Sequence, residues 1–265
     1  MRDAGPSLTA QRVAAHRLRF ERVPVPYGDP RAELDLAHDI AAGTVVPEGR
    51  MHEYLRARTA FFDRVVVGAL DRGMTQVVIG AAGYDGRAFR YAKPGVLWFE
   101  LDHPATQQDK RARLERLGVA TAHVRFVPAD FAHDPVAERL LSTGVCHDSP
   151  CLFLLEGVAV YLERPILERL LLELNRVAGP GSRLAVSVST ASPGPAARLR
   201  FEAAVAAMGE PARSSLGLVE AGDLLARTGW NGLNSNSGDD DAPAWHERLR
   251  SIGLLVAGTP SALAP

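Results

Sequence analysis

Four charged residues, Arg58, Asp102, Asp130 and Glu156, stand where their neighbours suggest chemistry. Each acid closes or follows an apolar run: Val96 to Leu101 before Asp102, His123 to Val127 before Asp130, and Cys151 to Leu155 before Glu156. In a doubly wound sheet the carboxyl ends of the strands face the ligand, so three such acids share one functional edge. A fourth run, Val77-Val78-Ile79, leads into Gly80-Ala81-Ala82-Gly83-Tyr84-Asp85-Gly86. Glycines let a backbone approach a ligand, and acids about 20 residues further on can accept hydrogen bonds from ribose hydroxyls. Each part has a plainer use as well. The glycines suit an ordinary βα turn, and Asp130, Asp134 or Glu156 could cap a helix. Together, at this spacing, they favour a nucleotide-type site.

The helix that must carry Arg58 is predicted over Glu48 to Asp71. Met51, Leu55, Arg58, Phe62, Val66 and Ala69 recur at steps of three and four and share one face. A guanidinium inside an apolar stripe keeps its charge and needs an acceptor or a route to water. Arg58 therefore either snorkels or pairs with a structural acid, or it binds the carboxylate of a small ligand. Ahead of it lie a basic helix from Thr9 to Glu21, broken by Pro24, Pro26 and Gly28, and a helix from Pro30 to Ala42 with Asp29 as its cap.

After the glycine turn and its short helix, Pro104 opens a helix to Leu117 that Gly118 ends. Cys151 to Leu155 is the most apolar strand and is expected at the centre of the sheet. Pro165 starts a helix carrying Ile166, Leu167, Leu170, Leu171, Leu174 and Val177 at helical spacing. Arg183 to Ser189 is the next strand, and Ala196 to Met208 an inserted helix at the functional edge. Val219 to Thr228 is helical, Gly229-Trp230 begins a strand, Trp245 to Ser251 is helical, and Leu254 to Ala257 returns as a last strand. Asp239, Asp240 and Asp241 lack the spacing of a calcium loop.

Composition bounds the class. The 265 residues fit one α/β domain, are 46% hydrophobic and carry a formal charge of -1, which favours no polyanion, so nucleic acid is not an expected partner. No apolar run is long enough to span a membrane, and Met1 to Pro6 lacks signal-peptide character; a cytoplasmic protein is expected. Cys146 and Cys151 flank His147, but three candidate ligands on one loop fall short of a zinc set, so no metal is expected and the thiols are read as unremarkable.

Four segments resemble the leucine carboxyl methyltransferase family: Arg58-Thr59-Ala60-Phe61-Phe62-Asp63, the turn Gly83 to Arg90, Phe99 to Thr106 followed by Lys110, and Leu155 to Leu162. The resemblance spans about Gln11 to Trp230. It implies a doubly wound, mostly parallel, seven-stranded sheet of the Rossmann-like class I methyltransferases in a single domain; the helices of 1-47, which precede the first strand, are expected as a cap packed on the back of the sheet or folded over the ligand, and 192-213 as a lid insertion. It implies S-adenosyl-L-methionine as cofactor. Arg58 would bind the methionine carboxylate, Gly80 and Gly83 would line the turn, Asp102 would hold the ribose, Asp130 and Phe131 would sit at the adenine, and Glu156 near the amino group. One departure is visible: the family's first turn glycine falls on Ala81, with Gly80 one place earlier.

The expected reaction is direct in-line O-methylation of a small-molecule carboxylate. An ionised carboxylate needs no general base at neutral pH, so no catalytic residue is expected, and positioning supplies the rate. A hydroxyl acceptor would require a base, for which His103 or His133 are the candidates. Tyr161 and Arg90 are candidate substrate contacts or packing residues. A nicotinamide-dependent oxidoreductase shares the glycine turn and ribose acid, but the G-x-G-x-x-G spacing is missing and the extra acids and Arg58 argue against it. A binding protein without turnover is the third reading. The oligomeric state is open.

Overall fold

The computed structural model describes residues 5-42, 48-188, 195-232 and 253-260. Seven strands form one sheet: β1 (Gln76–Gly80), β2 (Leu97–Asp102), β3 (Val124–Pro128), β4 (Leu152–Leu155), β5 (Arg183–Ser187), β6 (Asn231–Gly232) and β7 (Leu254–Gly258). Their order is β3-β2-β1-β4-β5-β7-β6. β1 to β5 run parallel, and β7 pairs antiparallel with both β5 and β6. The expected doubly wound, mostly parallel sheet is thus present, with Cys151 to Leu155 at its middle.

β1 is buried throughout because helices cover both faces, so its side chains alternate between two cores. Val78 joins Phe99, Phe153 and Leu155 under α6 (Val136–Thr143), α7 (Arg164–Arg176) and α9 (Leu218–Arg227). Val77 and Ile79 join Trp98 and Leu154 under α2 (Pro30–Ala41) and α3 (Arg50–Asp71). Three of the helices start where the sequence indicates. Pro104 opens α5 (Pro104–Arg116), Asp29 accepts from the amides of Arg31 and Ala32 at the start of α2, and Pro165 stands in the first turn of α7.

Some boundaries differ from expectation. α1 covers Leu8–Arg17 and stops four residues before Glu21, because the Arg19 and Phe20 amides bond back three residues in a closing turn. α6 had no counterpart in the sequence reading; Gly144, at φ 107°, ends it in the left-handed region. β6 starts at Asn231 rather than at Gly229, whose φ of 84° belongs to the turn after α9. The inserted helix is α8 (Pro195–Ala207), and α4 (Arg87–Arg90) is one turn long. The expected Trp245 to Ser251 helix and the Asp239 to Asp241 loop lie outside the described residues.

Candidate active site

β1 ends on Gly80 with little space beside it: a Cβ there would stand 2.6 Å from Leu155 Cδ2 and 3.9 Å from Phe131 Cζ. Ala81 follows at φ 53°, a left-handed conformation that disfavours any residue with a Cβ. Gly83, at φ 49°, then donates its amide to Asp102 Oδ2 at the end of β2. The other oxygen, Oδ1, accepts from the His103 amide at 2.6 Å. Burial lifts the Asp102 pKa to about 6 even though these two amides favour its charged form. Beneath the turn, Lys110 Nζ donates to the Asp85 carbonyl and to Glu100 Oε2, each at 2.7 Å, and fastens the turn to β2. Burial raises the Glu100 pKa, and Lys110 opposes the rise.

Glu156, directly after β4, is the hub of a buried ionic network. Its Oε1 accepts from Arg58 Nε at 3.0 Å, and its Oε2 from Arg17 Nη2 at 2.9 Å and Arg87 Nη1 at 2.5 Å. Burial alone would raise its pKa, but Arg17, Arg87 and Arg58 outweigh burial and hold it well below the carboxylate range. Arg87 is fully buried and also binds Asp63 at 2.7 Å and Asp85 at 2.6 Å. Asp63 is driven down to about 2: burial opposes this, and Arg87 and Arg22 overcome it. Arg58 is therefore paired with an acid, and it also faces the Tyr54 ring. Gly157, at φ 72°, passes beneath it, and a Cβ there would lie 2.9 Å from Arg58 Nη1.

These groups open into one cavity of about 1150 Å³. Arg58, Gly80, Gly83, Asp102, Asp130, Phe131, Glu156 and Tyr161 all line it, as do His103 and His133. Asp130 folds into a local turn, accepting from the Ala132 amide at 2.9 Å while its own amide donates to Asp134. His103 accepts from the Ala105 amide at the start of α5. Arg90 is not among the lining residues; it ion-pairs with Glu33 on the α2 side, so a substrate contact is not what the fold gives it.

α1 lies across the glycine turn, so close that a Cβ on Gly83 would stand 2.8 Å from Ala10 Cβ. Glu210, after α8, accepts from the Leu8 amide at 2.9 Å and the Ser7 hydroxyl at 3.1 Å, and from the Thr9 hydroxyl. Tyr161 hydrogen-bonds Thr9, and burial raises its pKa, so it stays a phenol. α1 also brings His16 to the cavity wall, 3.1 Å from His52 between their Nδ1 atoms. Burial, with His52, Arg12 and Arg19, lowers the His16 pKa to about 4. His16, Arg17, His52 and Glu210 are lining residues that the sequence reading did not single out. Their signal is weak, because they are ordinary polar residues on helices whose packing the sequence leaves open. Among the described residues no cluster of His, Cys, Asp or Glu could hold a metal, and no helix is long and apolar enough to cross a membrane.

The donor set fits a zwitterionic, sulfonium-bearing nucleoside: guanidinia for a carboxylate, Glu156 for an ammonium, and Asp102 for ribose hydroxyls. The comparisons with known proteins agree with this chemistry. The leucine carboxyl methyltransferase model matches residues 14-175. A protein of Mycobacterium avium (strain 104), named as an S-adenosyl-L-methionine-dependent methyltransferase, is 36% identical over 222 residues, covering 78% of this chain and 69% of its own. A similarly named protein of Mycolicibacterium smegmatis is 34% identical over 271 residues, covering 96% and 84%. In fold, a crystal structure of a methyltransferase from Thermobifida fusca superposes with a TM-score of 0.62 at 17% identity, covering 98% and 97%. These relatives set aside the nicotinamide reading. The chain belongs to the leucine carboxyl methyltransferase family and uses S-adenosyl-L-methionine as its methyl donor.

Proposed function

We propose that the protein transfers a methyl group to a carboxylate oxygen of a small-molecule acceptor. The observation that carries this reading is the match to a family named for carboxyl methylation, and two groups of the cavity wall, His16 and Tyr161, are in addition poor bases. His16 has lost basicity, its pKa lowered to about 4 chiefly by burial, and Tyr161 is held as a phenol. A hydroxyl acceptor needs a base matched to neutral pH, whereas a carboxylate arrives ionised. His103 engages its Nδ1 as the cap of α5.

In this reading the cofactor supplies an activated methyl group, and the chain supplies position. Arg58 and Glu156 hold the amino-acid end, Asp102 the ribose, and Asp130 with Phe131 the adenine. The turn over Gly80 and Gly83 brings the backbone close. The acceptor contacts the apolar part of the cavity lining, to which Leu55, Val160, Ile166, Val188, Phe201 and Val205 belong. This lining suits a small organic acid, with Tyr161 as a donor to it. Residues 5-42 act as a cap and 195-213 as a lid on a single domain, while 1-4, 43-47 and 192-194 of the expected cap and lid lie outside the described residues. Alignment of the acceptor oxygen with the methyl contributes roughly 7 to 11 kcal/mol.

The test is methyl transfer from labelled S-adenosyl-L-methionine to a panel of organic acids, phenols and amines. A product that releases volatile methanol in mild base is a methyl ester and supports the proposal. A base-stable product formed from a phenol or amine overturns it.

A further inference from the structure

Two of the helices that wall the cavity share one pattern. Met51, Tyr54, Leu55 and Arg58 of α3 line it, and so do Phe201, Ala204, Val205 and Met208 of α8. Each set sits at positions i, i+3, i+4 and i+7, one face of its helix. At 1.5 Å per residue, each stripe is about 10 Å long. The α3 stripe ends on Arg58, which pairs with Glu156, so it runs outward from the end of the cavity assigned to the cofactor's amino acid. Exposure follows the same direction: Leu55 is 5% exposed and Met51, a turn further out, 46%. An apolar body laid over these side chains takes their surface out of water, which favours binding. The cavity's 1150 Å³ also exceeds the roughly 300 to 1,000 Å³ of a pocket for one small ligand, so a second molecule of similar size fits beside the cofactor.

We propose that the acceptor is a monocarboxylic acid with an extended apolar body of about eight to nine carbons, laid along the α3 and α8 stripes. An extended chain advances about 1.2 Å per bond, so about 10 Å takes roughly eight bonds. Apart from Arg58, the two stripes offer one hydroxyl, on Tyr54. A peptide laid along them would bury amides without partners, a cost that a hydrocarbon chain does not meet. Chain length then sets which acids are methylated.

The inference rests on the carboxylate reading, and the experiment separates the two. Transfer from labelled S-adenosyl-L-methionine is measured across unbranched alkanoic acids from acetate to tetradecanoate, with a peptide ending in a free carboxylate alongside, on the wild type, Ala204→Trp and Val205→Trp. For the wild type, kcat/KM is expected to rise about two- to fourfold per added methylene up to decanoate and then to level off. Each tryptophan fills part of the α8 stripe and is expected to end the rise about two or more carbons earlier. Binding of S-adenosylhomocysteine by calorimetry shows that a variant is folded. Val205 is buried and Ala204 exposed, so Ala204→Trp decides the matter if Val205→Trp does not fold. Transfer to acids without dependence on length, an unshifted profile in a folded variant, or a preference for the peptide overturns the inference and leaves the carboxylate reading in place. No transfer to any of these acceptors overturns both.

Discussion

Gly83 donates its backbone N–H to the carboxylate of Asp102, nineteen residues later, and so joins the turn after β1 to the end of β2. The acid proposed to hold the ribose also shapes the turn proposed to line the same ligand. Asp102→Ala is therefore expected to weaken S-adenosylhomocysteine by at least about tenfold in calorimetry and to lower apo stability by about 1 to 3 kcal/mol, because two amides lose their acceptor. Unchanged affinity would remove Asp102 from the site.

Arg58 and Glu156 share one ion pair but not one fate on substitution. Arg58→Ala leaves Glu156 with Arg17 and Arg87, so the fold should lose little while cofactor affinity drops. Glu156→Gln leaves three buried guanidinia short of a counter-charge and is expected to cost about 3 to 5 kcal/mol. Chemical denaturation of both apo variants checks the order; a larger loss for Arg58→Ala would contradict it.

Ala81 holds φ 53° at the end of β1. A glycine adopts that conformation without the Cβ clash, which is worth roughly 1 to 2 kcal/mol before the greater freedom of the unfolded chain is subtracted. Ala81→Gly is expected to raise stability by up to about 1 kcal/mol, seen as a higher melting temperature.

His16 supplies a pH dependence. Its folded pKa of about 4 lies below the ordinary 6.5, so the unfolded state binds the proton first as pH falls. Its contribution is complete above pH 6.5 and is lost between 6.5 and about 4, at most about 3 kcal/mol and less where the cavity admits water. His16→Phe should flatten the stability profile in that window, as read by urea denaturation at stepped pH.

Glu210 bonds the segment after α8 to the first turn of α1. Glu210→Ala is expected to speed hydrogen exchange at the Leu8 and Thr9 amides while leaving β1 and β4 protected. Unaltered exchange at those amides would show that α1 is held without this carboxylate.

Much of the site could be read from the chain because its signals are local. A buried strand between two helical layers is an apolar run, and the residue that leaves its carboxyl end reaches the functional edge. Asp102, Asp130 and Glu156 were found by that rule alone, and the steps of three and four around Arg58 placed it on a buried face. The sequence by itself therefore determined the order of the strands and of the helices apart from α6, the edge on which the acids gather, and the family.

Tertiary structure decided the rest, because packing between distant segments leaves no periodic trace. Whether α1 lies behind the sheet or over the glycine turn depends on contacts such as Ala10 with Gly83 and Glu210 with Thr9, each far apart in the chain. That choice alone brought Arg17 and His16 into the cavity. It was also packing that turned Arg90 toward Glu33 and away from the site, and that gave Arg58 its acid partner. Charge in a low-dielectric interior is settled by neighbours in space, and those neighbours come from five separate helices and strand ends.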